Sequence, residues 1–395
     1  MSNTVNTTPA LPPREVDIVV IGAGTAGTSA ASALAQQGLS VALIDAHETH
    51  QPDFRAEKIG PQQMDYFEAF GLGPAAYAHM TAFDGVWVHR FGRIIEKKPT
   101  REYSSEYPDL VNALRRGLSR DVEVAVGRVD TVETSTDRQH VRLADGRQYS
   151  GRLLVVATGL GDAVKRKLGI EREVMSAAHS LSFGFDLANA RDAFPFPSLI
   201  WTVERPEDQG AYLGLFPIGD KWRGNLFVYR QVNDPWSKQF RIDPSRALHD
   251  FLPGFEPLFG RVEIKTPVSA RPIDLARSTN YLRPGLVLIG DAFLTVCPIT
   301  GTGIDKALND VDVLRRLVPA WLKTPGMEAD KIAAFYDDPV KQERDAHALK
   351  ISWRARSMRM ERGLMWTARR LRSAVLVNNA YRMKALLEPF RGRAA

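Results

Sequence analysis

Nearly continuous apolar runs recur along the chain at Val16-Asp17-Ile18-Val19-Val20-Ile21, Val41-Ala42-Leu43-Ile44, Leu153 to Val156 and Leu286-Val287-Leu288-Ile289. Runs of this length without alternation fit strands buried on both faces, as in a parallel sheet. The small-residue segment Thr28 to Gln37 between the first two reads as a tightly packed helix, so the chain opens with a βαβ unit. A helix over Leu110 to Leu118 and a strand over Val122 to Val126 follow. Gln139–Leu143 and Arg147–Ser150, joined by Ala144-Asp145-Gly146, predict a hairpin. From His179 to about Arg271 the pattern changes to short strands carrying Phe183, Phe185, Trp201, Tyr212, Phe216, Phe227 and Tyr229, which predicts an antiparallel sheet. The buried-strand signal then returns at 285–290, with a helix from Ile304 to Leu317 after it. The expectation is an α/β domain split in sequence: its first part 14–175, an inserted sheet domain 176–278, its second part 279–325, and a helical region 326–395. No internal repeat is visible.

With 395 residues, 44% hydrophobic and 25% charged, the chain has the makeup of a folded protein of two or three domains. A single cysteine excludes an intramolecular disulfide and points to a reducing compartment. No run approaches the roughly 18 apolar residues of a membrane-spanning helix. Residues 1–13 lack the basic and apolar regions of a signal peptide and read as a disordered leader, so a cytoplasmic protein is expected. The formal charge of +6 is unevenly placed: residues 349–395 hold twelve Lys/Arg against two Asp/Glu, which leaves −4 on the first 348. On one continuous helix, Leu349, Trp353, Met360, Leu364, Leu371 and Val375 share a side, with Ile351, Met358 and Met365 as a second apolar row opposite. Two rows suit a helix wedged between surfaces. Packing on the acidic body is therefore favoured over contact with a membrane surface or partner, and no nucleic-acid-binding module is recognised.

The strongest local feature is Gly22-Ala23-Gly24-Thr25-Ala26-Gly27, which follows a strand and opens a helix. Gly22 permits the tight turn, Gly24 lets backbone approach a pyrophosphate, and Gly27 lets helix and strand pack closely, while the helix N-terminus offers free N–H groups to the phosphate. Asp45, eighteen residues after Gly27 at the end of the next strand, would accept hydrogen bonds from ribose hydroxyls. This pattern announces a dinucleotide without choosing between NAD and FAD.

A second constellation chooses. Gly290-Asp291-Ala292 ends a buried strand, Pro298 follows seven residues after Asp291, and Gly301-Thr302-Gly303 opens the next helix at Ile304. This arrangement resembles the GD motif of the para-hydroxybenzoate hydroxylase-like, class A, flavoprotein monooxygenases. The resemblance implies a Rossmann-like FAD-binding domain, with Asp291 on the ribityl chain of FAD, Pro298 beside the isoalloxazine, and the amides of Gly301 to Ile304 at its pyrimidine end. Arg55-Ala56-Glu57-Lys58-Ile59-Gly60-Pro61 and Phe67 to Leu72 are similar to the family's flavin-crossing segment and the helix after it. Asp109 to Leu114 is similar to its next helix, and Leu215 to Asp220 to a sheet-domain strand. Arg55, Val129, Ala157, Thr158 and Gly159 join the cofactor contacts implied. Departures stand out: Thr158, Asp162 and Lys165 replace the Asp, Ser and Arg of a motif tied to pyridine-nucleotide use. Phe293-Leu294 replaces Ala-His, Tyr107 an arginine, and Asp305 an asparagine.

The function implied is an FAD-dependent monooxygenase that hydroxylates or epoxidises an apolar or aromatic small molecule through a C4a-hydroperoxide formed from reduced flavin and O₂. Electrons would come from NAD(P)H directly or through a partner flavin reductase, with the altered segment favouring weak direct oxidation. No acid or base is singled out; His179, Tyr212 and Tyr229 could orient substrate. Phe183, Phe185, Trp201, Tyr212, Phe216 and Tyr229 are candidate pocket residues, although a sheet-domain core is their simplest reading. Cys297 reads as a buried thiol. His47-Glu48-Thr49-His50 reads as a solvated loop rather than a metal site. The alternatives are a flavin halogenase of the same fold, whose Trp-x-Trp-x-Ile-Pro motif is absent, an isoprenoid-lipid reductase, or a non-catalytic FAD-binding or membrane-associated partner protein.

Overall fold

The structure, a computed structural model, describes residues 12–391. The expected leader lies outside these residues except for Pro12 and Pro13. Strands β1–β16 and helices α1–α12 are numbered in chain order.

The first sheet contains β1 (Arg14–Ile21), β2 (Val41–Asp45), β6 (Val122–Val126), β7 (Val129–Glu133), β8 (Gln139–Leu143), β9 (Gln148–Val156) and β15 (Leu286–Leu288). Its order is β6-β2-β1-β9-β8-β7, with β15 also pairing β9. The β6, β2, β1, β9 and β15 pairings are parallel, and the expected hairpin is formed by β8 and β9. The hairpin arm and the apolar run at 153–156 turn out to be one strand. Its first half pairs β8 and its last residues pair β15, a division no local pattern announces. Against this sheet pack α1 (Thr25–Ala35) and α9 (Gly303–Leu322), brought together by the small side chains Ala30, Ala31 and Ala33.

The second sheet joins β3 (Ala56–Ile59), β4 (Thr81–Arg90), β5 (Arg93–Glu106), β10 (Glu171–Asp186), β11 (Leu199–Thr202), β12 (Gly210–Ile218), β13 (Lys221–Val228), β14 (Ser269–Thr279) and β16 (Leu294–Thr295). Its order is β16-β14-β10-β13-β12-β11-β4-β5-β3, antiparallel except where β11 runs beside β4. Residues 56–106, expected within the first domain, thus contribute three strands here. Strand β5 is charged and half-exposed, so it lacks the apolar run that marks a buried strand, and β4 finds its second neighbour more than a hundred residues away. Between and around these strands lie α2 (Pro61–Ala69), α3 (Gly73–Tyr77), α4 (Tyr107–Arg116), α5 (Ala163–Lys167), α6 (Pro235–Ile242), α7 (Pro244–Phe251), α8 (Phe255–Phe259) and α10 (Ala329–Tyr336).

The period-two alternation of a strand decides which aromatics can meet a ligand. Phe183, Phe185 and Trp201 project with Leu213, Leu215 and Leu226 into a core completed by Phe240, Phe251 and Phe255 of α6–α8. These three are therefore packing residues, not pocket residues. Tyr212, Phe216 and Tyr229 lie outside that core.

The basic region is two helices, α11 (Pro339–Met360) and α12 (Leu364–Arg391), separated at Glu361-Arg362-Gly363, where Gly363 has φ +111°. The break resets the helical phase, so the single apolar row expected through Val375 does not form. Leu364 is 91% exposed, and Leu371 and Val375 are likewise exposed. Helix α11 is fastened to the body. His179 on β10 contacts the Ser352 carbonyl at 3.3 Å through Nε2, Arg356 donates to the His179 carbonyl, and Arg344 pairs Asp305 at 3.1 Å.

The deepest fastening is ionic. Asp310 on α9 has no exposed surface; its Oδ2 accepts from the Gly290 N–H at 2.8 Å and its Oδ1 from Lys341 Nζ at 2.7 Å. Lys306 donates to the Gly290 carbonyl at 3.1 Å, and Lys341 also pairs Asp345 at 3.1 Å. Burial pulls the Lys341 ammonium down, but Asp310 and Asp345 outweigh it and hold the group above its ordinary value. Asp310→Ala leaves two buried lysines short of a carboxylate, so denaturant unfolding should show a loss of roughly 3–5 kcal/mol.

Candidate active site

A cavity of about 550 Å³ lies between the two sheets, at the carboxyl ends of β1, β2, β9 and β15. Crevices at the carboxyl ends of parallel strands are where open α/β sheets bind ligands. Its first wall is the β1–α1 turn. Gly22 adopts φ +103°, and a Cβ there would meet the Ala157 carbonyl oxygen at 2.5 Å; one on Gly27 would meet the Gly22 oxygen at 1.8 Å. Gly22, Gly24, Thr25 and Ala26 line the cavity at the start of α1. The Thr25 hydroxyl is buried there without a hydrogen-bond partner. Ala23 and Gly27 face away: the Ala23 N–H donates to Asp45 Oδ2 at 2.7 Å, and Gly27 is closed against Gly22.

Asp45 lines the same wall and also accepts from the His47 N–H at 2.9 Å. Arg115 on α4 binds this corner together: Nε donates to the Ala23 carbonyl at 2.7 Å, one terminal nitrogen to the His47 carbonyl at 2.9 Å, and the other lies 3.2 Å from Asp45. Sequence reasoning passed over Arg115. The only local signal was a basic residue ending a helix, which is more often a helix-dipole contact.

The second wall is assembled from three later segments. Ala157, Thr158 and Gly159 follow β9, Asp291 follows β15, and Pro298, Gly301, Gly303 and Ile304 lead into α9. A Cβ on Gly159, Gly301 or Gly303 would meet no atom within 4 Å, so bare backbone faces the open space. Two expected contacts do not reach it. Val129 lies in β7, paired with Leu143 and packed on the core, and the Thr302 hydroxyl is held by Thr300 at 2.8 Å. Arg55 lines the cavity with its guanidinium 3.9 Å from the Tyr107 ring centre and paired to Asp53 at 2.8 Å. Tyr107, in the place of an arginine, is thus the platform for one. Asp162 and Lys165 pair with each other at 2.7 Å, and Lys165 is 2% exposed.

The opposite wall is the second sheet, with Tyr212, Gly214 and Phe216 from β12 and Phe227 from β13. Tyr229 faces a different cavity, and His179 and Cys297 are buried under α11, with Cys297 Sγ 3.3 Å from Ser180 Oγ. Besides Asp45, the carboxyls of Glu57 and Asp291 line the active-site cavity. Burial raises the proton affinity of Glu57, with Asp291 and Asp53 adding to the rise and Arg55 opposing it. Burial likewise raises Asp291 against the pull of Lys306 and Arg55. Glu57 carried no sequence signal beyond its place in the segment before Pro61. His47 and His50 also line the cavity, and among the described residues no group of three or more His, Cys, Asp or Glu is placed to hold a metal ion.

These donors fit FAD. The unpartnered Thr25 hydroxyl at a helix N-terminus suits the pyrophosphate, Asp45 the ribose, and the backbone at Gly301–Gly303 a flat ring edge. A family model described as FAD binding domain matches residues 15–329. The Escherichia coli (strain K12) 3-demethoxyubiquinol 3-hydroxylase is 24% identical over 357 residues, covering 82% of this chain and 87% of that protein. In fold, the p-nitrophenol 4-monooxygenase of Pseudomonas putida DLL-E4 superposes with TM-score 0.72 at 15% identity, covering 96% of this chain and 98% of that one. Klebsiella pneumoniae HpxO, solved with FAD and uric acid, superposes at 0.68 with 19% identity, covering 93% and 96%.

Because the Gly27 contact is with backbone that cannot swing away, Gly27→Ala should weaken FAD binding at least about tenfold, or ~1.4 kcal/mol. Titration of the apoprotein with FAD, followed by flavin fluorescence, reads this out.

Proposed function

Because the chain belongs to the FAD-binding family of class A flavoprotein monooxygenases, we propose that it oxygenates an apolar, aromatic small molecule held between its two sheets. The single observation that carries this reading is the cavity itself. Backbone of three glycine-bearing loops forms one side, and Tyr212, Phe216 and Phe227 form the other. When bound, FAD supplies the electrons and the activation of dioxygen: one oxygen atom enters the substrate, and the other leaves as water with two electrons and two protons consumed.

The protein's part is binding, orientation and exclusion of water. Thr25, Asp45 and Asp291 hold the cofactor's phosphate, ribose and ribityl groups. Tyr212 and Phe227, whose ring centres are 4.9 Å apart and tilted by 50°, offer aromatic surface to an aromatic body. Glu57 lines the same cavity, and its raised proton affinity suits it to take a proton from a hydroxyl-bearing substrate as a general base. The ion pair that turns Lys165 inward removes a cation from the surface available to a pyridine nucleotide, which supports electron delivery by a separate flavin reductase.

The purified protein should be yellow, with turnover that stops without O₂. A colourless protein that takes up no added FAD would overturn the reading. Direct NADH or NADPH oxidation should be slow and rise at least about tenfold with an added flavin reductase; rapid, substrate-stimulated NADPH consumption without one would contradict the second-enzyme route. A base whose folded pKa is raised is active only above that value, so kcat should climb with pH above the ordinary carboxylate range. Glu57→Gln should lower kcat roughly 10²–10⁴-fold and erase that limb of the profile.

A further inference from the structure

A second cavity, about 370 Å³, lies on the far side of Tyr212, between the second sheet and the two C-terminal helices. Tyr212 lines both cavities, so its ring is the partition between them. Ile299, Ile351 and Met358 make part of the second cavity apolar, while Arg90, Arg354 and Arg359 bring guanidinium groups to it. Arg90 is balanced by Glu204 at 3.5 Å. Glu204 also attracts Arg359, and among the described residues neither Arg354 nor Arg359 has a carboxylate within 4.0 Å, so three guanidinium groups meet here around one carboxylate. Tyr229, 2% exposed, lines it too, and its hydroxyl has no hydrogen-bond partner. A buried unpartnered hydroxyl costs about 1–3 kcal/mol unless a ligand satisfies it. Helix α12 contributes Ser373, so the basic terminal region completes this chamber.

We propose that the second cavity is a binding site for the carboxylate end of an aromatic or apolar acid, held by Arg354, Arg359 and the Tyr229 hydroxyl, with the body of the molecule directed at Tyr212. Guanidinium matches carboxylate geometry and binds it more strongly than any neutral group the same size. Arg359 is partly buried, and its loss of solvation outweighs the pull of Glu204 and lowers its proton affinity, so a second anion beside it is favourable. Naming that acid as substrate rests on the monooxygenase reading; the binding site does not.

The test is calorimetric titration of the FAD-loaded full chain with 2-naphthoate and, separately, with neutral 2-naphthamide. Naphthoate should bind at least about tenfold more tightly, and Arg354→Met and Arg359→Met should each shrink that preference to within about threefold. Tyr229→Phe should loosen naphthoate a few-fold while leaving the flavin spectrum unchanged. Arg354 is exposed on α11, so its variant carries the test even if Arg359→Met fails to fold. Equal affinity for acid and amide, no binding of naphthoate, or a preference that survives both arginine variants overturns the proposal. A full chain that takes up no added FAD, yet prefers naphthoate to naphthamide in the same titration, would instead count against the flavin reading alone.

Discussion

A carboxylate with no exposed surface needs compensating charge on every side, and Asp310 is compensated by the groups on which the active site depends. Through its bonds to the Gly290 N–H and to Lys341, and through Lys306 on the Gly290 carbonyl, it holds the turn that presents Asp291 to the cavity. The same charges dock α11 on α9. The chain from 339 onward is thereby joined to the site rather than appended to it, and the second cavity exists because α11 is pinned there.

The active-site cavity is a product of two unlike sheets. The parallel one ends in loops whose glycines expose backbone, which suits a cofactor recognised by its phosphates, hydroxyls and ring edges. The antiparallel one offers a single face of alternating side chains, with its other face committed to the aromatic core around Phe183, Phe185 and Trp201. A site for a large polar cofactor and a small apolar molecule is made by setting one against the other. That division also explains why no triad-like constellation stands out. In a flavoenzyme the cofactor carries the hard chemistry, and the protein contributes position and a dry surrounding.

Local pattern was enough for the βαβ opening, the hairpin at Asp145-Gly146, the return of the buried strand at 286–288 and the helix after Gly303, because each has its own periodicity or turn residue. Many of the residues that line the cavity on the parallel-sheet side were legible for the same reason. Motif glycines answer steric demands within a few residues, as Gly22 and Gly27 show. What escaped depended on distant partners. Strand β5 reads as a charged loop until β4 and β3 are beside it, and Arg115 reads as a helix terminus until Ala23, Asp45 and His47 surround it. The one-helix tail failed on a single glycine, since Gly363 breaks the phase that joined its two apolar rows.

By itself, then, the sequence determined the buried strands of the parallel sheet and the two glycine-bearing turns, since these follow from which residues can occupy a buried strand or a left-handed turn. It also pointed to the cofactor, through the resemblance that the segment around Asp291 and Gly301–Gly303 bears to a flavoprotein family. Only the tertiary structure decided which aromatics face the ligand, because that is set by strand register and by what lies across each face. Only there, too, did Glu57 acquire its raised proton affinity and Asp310 its lysines, since burial and charge neighbours are properties of the assembled molecule and not of any segment.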